Sequence, residues 1–173
     1  GALLASKGLE VVFGGGNVGL MRVVSDTTIA HGGKVTGIAL KSLDVFELTN
    51  PNITETIITH SLFERKEKFL SISDAFIVMP GGVGSMDELL EVMVSNHLGE
   101  INKPIGILNI NGYYDSFIDW LQHAVDEQFV SAENQQRVLI SSDPAELLEM
   151  ILIAEMPDPD SWFERLNTDP TPS

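Results

Sequence analysis

Two short apolar runs, residues 9–13 and 75–79, each end in a glycine-rich segment that passes directly into helical spacing. After the first run come Gly14, Gly15 and Gly16, and apolar residues then recur at helical intervals over 18–30 until Gly32 and Gly33 interrupt them. After the second run, Pro80, Gly81, Gly82, Val83 and Gly84 lead into a helix on which Met86, Leu89, Leu90, Met93 and Val94 make one apolar stripe. A strand, a glycine turn and an amphipathic helix, occurring twice, restrict the chain to folds in which helices return across a sheet.

The rest of the chain keeps that alternation. Residues 35–40, 55–59, 104–108 and 138–140 read as strands; 62–72, 114–129 and 144–155 read as helices, with Phe117, Ile118, Leu121 and Val125 facing inward on the second. The strands are short and apolar throughout, which predicts a parallel sheet covered on both sides. The fold expected is Rossmann-like α/β, a three-layer parallel sheet with helices on both faces. Residues 1–155 are expected to form a single nucleotide-binding domain. Residues 156–173, with four prolines and three aspartates, read as a solvated or loosely docked tail. The chain opens at residues 2–7 in what reads as the end of a helix, so a first strand ahead of it is expected to be missing. Ligands of such sheets bind at the carboxyl ends of the strands, where both glycine segments fall.

Charge narrows the choice of ligand. With 25 acidic against 10 basic residues the formal charge is −15, which repels polyanions at long range and argues against nucleic acid as a partner. A small phosphate is a different case, because backbone N–H groups and one or two cations act within a Debye length. The absence of cysteine removes thiol nucleophiles, thiolate metal sites and disulfides together, and it suits the cytoplasm, the expected location. No stretch approaches the run of about 18 apolar residues that a membrane helix needs, so no membrane partner is expected.

Residues 14–19 match G-x-G-x-x-G, the pattern in which glycines let a backbone approach a phosphate at a helix start. A dinucleotide site also needs an acidic residue about 20 positions further on. Leu40 and Lys41 stand there and Asp44 comes late, which argues against NAD(P). A tight turn that packs a helix on a sheet is the plainer alternative. The second segment places Ser85, Asp87 and Glu88 beside three glycines. Ser85 and Glu88 have capping-box spacing, with Ser85 as N-cap, but such a turn needs only one glycine. Gly81, Gly82 and Gly84 point instead to an anion cradle, in which loop N–H groups and the Ser85 hydroxyl grip phosphate and Glu88, on the first helical turn, faces the ligand. Glu91 lies one turn beyond Glu88, and the two carboxylates either address one ligand or share a solvated face.

Residues 80–88 resemble the P-G-G-x-G-T-x-x-E signature of the LOG (Lonely Guy) family, cytokinin riboside 5′-monophosphate phosphoribohydrolases long labelled lysine decarboxylases, with Ser85 in the threonine position. Residues 14–21 are similar to the family's G-G-G-x-x-G-L-M, and Arg65-Lys66 to the end of its M-x-x-R-K element, with Leu62 in the methionine position. The runs at 98–99, 102–104 and 111–114 also read like family members, and the similarity spans about residues 9–148. Ser95, Asn96 and His97 replace a tryptophan-containing run of many relatives, which places the departure at base specificity.

The resemblance implies a hydrolase that splits AMP or an N6-modified AMP, a cytokinin precursor, into free base and ribose 5-phosphate. It assigns Arg65 and Glu88 as the catalytic pair, and Gly15, Gly16, Lys66, Gly81, Gly82, Gly84, Ser85 and Glu91 to substrate binding. The chemistry agrees with those residue types. Cleaving an N-glycosidic bond leaves an oxocarbenium-like sugar that a carboxylate stabilises, and the arginine fork holds phosphate while keeping its charge. Without the resemblance, Arg65 reads rather as a surface residue pairing with Glu64 or Glu67 on a charged helix. No cofactor is expected: His31, His60, His97 and His123 are scattered without ligand spacing, and none of the lysines has a recognisable pyridoxal phosphate site around it. Relatives also imply a homodimer, and Tyr113 and Tyr114 read as exposed aromatics. A binding-only protein, such as the molybdenum cofactor carriers of this fold type, is the alternative.

Overall fold

The structure, a computed structural model, describes residues 1–44 and 49–156. The described residues fall into two compact units that divide between Ser73 and Asp74. The tail expected over 156–173 lies, from residue 157 on, outside the described residues.

The first unit runs α1 (Ala2–Ser6), β1 (Val11–Phe13), α2 (Gly19–Ala30), β2 (Val35–Leu40), α3 (Lys41–Asp44), β3 (Glu55–Thr59) and α4 (Leu62–Ile72). Its sheet is parallel in the order β1-β2-β3, with Val11 opposite Val35 and Leu40 opposite Thr59. Central β2 is buried at five successive residues, which requires cover on both faces; α2 and α4 pack against it. A Cβ on Gly37 would stand 2.9 Å from the Gly15 Cα and 2.6 Å from Ile53 Cδ1. A bare backbone in β2 is therefore what lets the first glycine loop lie on the strand.

The second unit runs β4 (Phe76–Val78), α5 (Val83–His97), β5 (Ile105–Leu108), a 3-10 turn (Ile110–Gly112), α6 (Asp115–Asp126), α7 (Ala132–Gln136), β6 (Val138–Ser141) and α8 (Pro144–Ile153). Its sheet is parallel in the order β4-β5-β6. Helix α8 crosses β5 at Gly106, where a Cβ would meet Ile151 Cδ1 at 2.6 Å. Asp143 starts that helix by accepting the N–H groups of Ala145 and Glu146 at 2.8 and 2.9 Å, and Pro144 at its first position lacks only an N–H the helix does not use. Leu89, Ile105, Ile107, Leu121 and Leu147 fill the core; truncating any one to alanine costs about 2–5 kcal/mol.

The chain is α/β with parallel strands, as its alternation predicts, and the strands at 35–40 and 55–59 and the helix at 62–72 fall where expected. Other expectations are corrected. The helix expected over 114–129 ends at Asp126, with Gln128 in the left-handed region at φ 65°. The strand expected to be buried at 75–79 is an edge of its sheet and leaves Ile77 39% exposed. On α5 the inward residues are Leu89, Val92, Ser95 and Asn96, while Leu90 and Val94 are exposed. The apolar stripe misplaced that face because Asn96 is buried for its hydrogen bonds: its side chain donates to the Lys103 carbonyl and accepts from the Lys103 N–H, both at 2.9 Å.

Candidate functional site

Both glycine loops leave the carboxyl end of a parallel strand and enter a helix that has no side-chain cap. Helix α2 starts from Val18 and α5 from Gly82, and neither has an acidic residue in its first turn. By contrast α4, α7 and α8 are capped by Ser61, Ser131 and Asp143. First-turn N–H groups left uncapped, together with the positive end of the helix dipole, suit an anion.

In the first unit, Gly14, Gly16, Val18, Met21, Leu40, Leu62 and Arg65 line a cleft of about 200 Å³. Arg65 is half-buried, and its Nε donates to the Ile38 carbonyl at 2.9 Å, with the guanidinium carbon 5.0 Å from the centre of the Phe69 ring. Its neighbour Glu64 instead closes the start of α4, where the Glu64 N–H donates to Ser61 Oγ at 3.1 Å and its carboxylate accepts the His60 N–H at 2.7 Å. The three glycines answer to three different neighbours. A Cβ on Gly14 would collide with Arg65 Nη2, one on Gly16 would stand 2.5 Å from Met21 Cε, and Gly15 takes φ 75° against Ala39. The loop is shaped around Arg65 and Met21 as well as around the turn itself. Buried Asn50 secures it: the Asn50 N–H donates to the Gly15 carbonyl at 2.9 Å, and its side-chain amide donates to Ser25 Oγ and Asp26 Oδ1, each at 2.9 Å. Lys66 sits half-buried on α4.

In the second unit, the capping-box reading of Ser85 is corrected. The N-cap is Gly82, and Ser85 is the third residue of α5, with its hydroxyl against Gly81, where a Cβ would collide with Oγ. Glu88 therefore stands on the second turn of the helix, not the first, and both it and Glu91 are half-buried. Gly82 and Gly84 have open space where a Cβ would stand, and neither takes a positive φ. Nothing among the described residues demands glycine at these two positions; a bare backbone there keeps the N–H groups open to approach.

The candidates thus gather in two sets, Gly15, Gly16, Arg65 and Lys66 in the first unit and Gly81, Gly82, Gly84, Ser85, Glu88 and Glu91 in the second. The apolar wall of Met21, Leu40 and Leu62 escaped the sequence reading, although Leu62 stands three residues before Arg65 on the same side of a helix. Ser95 and Asn96, placed at base specificity by sequence, are buried in internal bonds; Ser95 Oγ donates to Glu100 Oε2 at 3.1 Å. Of the two tyrosines read as exposed, Tyr113 is 56% exposed but Tyr114 is 3% exposed. Among the described residues no three metal-ligating side chains gather.

The family model described as "Possible lysine decarboxylase" matches residues 21–151. Over 97% of its length the chain is 38% identical to cytokinin riboside 5′-monophosphate phosphoribohydrolase LOG2 of Arabidopsis thaliana, covering 78% of that protein. The chain belongs to the LOG family. It is also 39% identical to cytokinin riboside 5′-monophosphate phosphoribohydrolase LOG of Oryza sativa subsp. japonica, over 91% of this chain and 65% of the rice protein. A probable phosphoribohydrolase of the same kind from rice, LOGL6, is 38% identical over 87% of this chain and 60% of its own length. Among solved structures, the molybdenum cofactor binding protein from the phototrophic bacterium Rippkaea orientalis superposes with a TM-score of 0.63 over 87% of this chain and 80% of that one. At 22% identity it shares the fold of the LOG chain, and no function follows from that alone.

Proposed function

We propose that this LOG-family chain hydrolyses the N-glycosidic bond of a nucleoside 5′-monophosphate, AMP or an N6-modified AMP, to free base and ribose 5-phosphate. The observation that carries the reading is Arg65 folded across the first glycine loop, in a chain whose relatives are named for this reaction on cytokinin riboside 5′-monophosphates. The bond between C1′ and the base nitrogen breaks, the oxygen of water bonds to C1′, and a proton passes to the departing base. Glu88 stabilises the positive charge that grows on the ribose and directs the attacking water. Arg65 orients the nucleotide and the departing base with its planar fork. Gly15, Gly16 and Lys66 of the first unit and Gly81, Gly82, Gly84, Ser85 and Glu91 of the second bind the substrate, and no cofactor takes part.

In the same reading residues 1–155 act as one nucleotide-binding domain, in the cytoplasm, as a homodimer. The described residues contain no helix long and apolar enough to cross a membrane. Support for the dimer comes from α5, where Val83, Leu90, Val94 and the C-cap Leu98 are exposed at spacings that share one helix face. Sedimentation at micromolar concentration checks it: a monomer alone removes the dimer from the account.

Adenine release from AMP and from adenosine tests the main reading. Rapid release from AMP and little from adenosine is expected, since the site is built on phosphate-binding loops. Equal turnover of the two removes the phosphate cradle.

A further inference from the structure

We propose that Tyr113 and Tyr114 are positioning residues that fasten the second glycine loop so that its N–H groups face the 5′-phosphate; this rests on the phosphate-site reading above. Both hydroxyls donate to carbonyls of that loop, Tyr114 Oη to Met79 at 2.8 Å and Tyr113 Oη to Gly81 at 2.6 Å. A trans peptide points its carbonyl and the following N–H in opposite directions within one plane. Holding the Gly81 carbonyl on Tyr113 therefore fixes the direction of the Gly82 N–H, at the start of α5.

The pair is itself held firmly. Its rings meet edge to face with centroids 5.0 Å apart and planes at 86°. Asn111 and Gly112 both take left-handed conformations, φ 53° and 70°, making the sharp turn that delivers the tyrosines. The Tyr114 N–H donates to Asn109 Oδ1 at 2.8 Å, the Asn109 side-chain amide donates to Asp115 Oδ1 at 2.7 Å, and the Asn109 N–H donates to the β6 carbonyl of Ser141 at 2.9 Å. The loop is thereby tied through two side chains to the β5–β6 part of the sheet. A loop with glycine at 81, 82 and 84 loses more conformational freedom on ordering than any other composition would, so tethering it in advance removes a cost from phosphate binding.

Filling the core explains Tyr114, which is buried. It does not explain Tyr113, which is more than half exposed yet bonds the loop through its tip. Tyr113→Phe is accordingly the deciding variant, made in the full chain beside Tyr114→Phe. Two measurements are needed: amide hydrogen exchange of the segment 79–86 in the free protein, and calorimetric binding of ribose 5-phosphate, with KM and kcat for AMP alongside. Tyr113→Phe is expected to speed exchange in that segment while leaving β5 and α8 unchanged. It is expected to weaken ribose 5-phosphate binding about fivefold to tenfold, the loss of one hydrogen bond, and to raise KM for AMP by the same factor with kcat within about twofold. Unchanged loop exchange, exchange raised throughout the unit, or unchanged ribose 5-phosphate binding each overturns the proposal. Wild-type protein that binds ribose 5-phosphate but leaves AMP intact defeats the hydrolase reading alone, and the exchange and binding data still decide the clamp. Wild-type protein that binds no ribose 5-phosphate overturns the clamp as well.

Discussion

The guanidinium of Arg65 occupies the space where a side chain on Gly14 would begin, so the first glycine of the loop and the arginine of α4 are sterically complementary. Arg65 reaches that place by donating through Nε to the Ile38 carbonyl of β2 at 2.9 Å. The glycine run and the distant arginine, 51 positions apart in sequence, form one local arrangement.

Gly14→Ala is predicted to separate stability from activity. The added methyl meets the far end of a long side chain, which can move aside, so stability should change by less than about 1 kcal/mol. The methyl should displace Arg65, and if Arg65 has the catalytic role proposed above, a shift of about 1 Å should reduce turnover about 100-fold. Thermal unfolding and adenine release from AMP check the two halves. A fully active Gly14→Ala protein means that the placement of Arg65 does not matter.

Asn50→Ala is predicted to loosen the first loop. Its buried amide bonds Ser25 and Asp26, and losing it should cost about 1–3 kcal/mol in denaturant unfolding. The same amide is the first cause, ahead of Arg22, that holds the Asp26 carboxyl below its ordinary 3.8. A lowered carboxyl favours the folded state above the unfolded value, and that contribution is lost as pH falls through the lowered one. Wild-type stability should therefore decline more steeply than that of Asn50→Ala as pH drops below 3.8. Parallel acid profiles would contradict this.

Alkaline pH should act through Tyr114, whose hydroxyl is pushed above 10.0 first by burial and then by the neighbouring Tyr113. The folded state keeps this proton when the unfolded chain has lost it. The stabilisation is complete below 10.0 and is lost as pH rises through the higher folded value. Tyr114→Phe removes that group, so its unfolding midpoint should fall less between pH 10 and 11 than that of the wild type. Equal alkaline slopes would sink the prediction.

How much of this was legible in sequence depended on what each residue contributes locally. The continuous apolar run of β2 announces a strand buried on both faces, and the glycine runs announce turns at strand ends. The inward face of α5 was not legible, since it rests on Asn96, a polar residue buried for bonds to Lys103. Nor was the direction of Arg65: a long side chain on a charged helix gives no local sign that it folds back to a carbonyl on β2. The start of α5 misled for a related reason, because Ser85 and Glu88 have capping-box spacing while the chain enters the helix three residues earlier, at Gly82. Spacing reports which residues share a face; it does not report where the first helical turn is fixed by a neighbouring loop.

The most direct test of hydrolysis against mere binding is Glu88→Gln, assayed for adenine and ribose 5-phosphate released from AMP and, separately, for AMP binding by calorimetry. Because Gly82 and not Ser85 caps α5, Glu88 has no part in a capping box there, and the substitution should change stability by less than about 1 kcal/mol. On the proposed mechanism the substitution removes the charge that faces the developing oxocarbenium ion and should reduce turnover about 100-fold or more, while AMP binding by the glycine loops and Ser85 should persist. The expected result is a folded variant that binds AMP and releases almost no base. Base release by Glu88→Gln at close to the wild-type rate would contradict it.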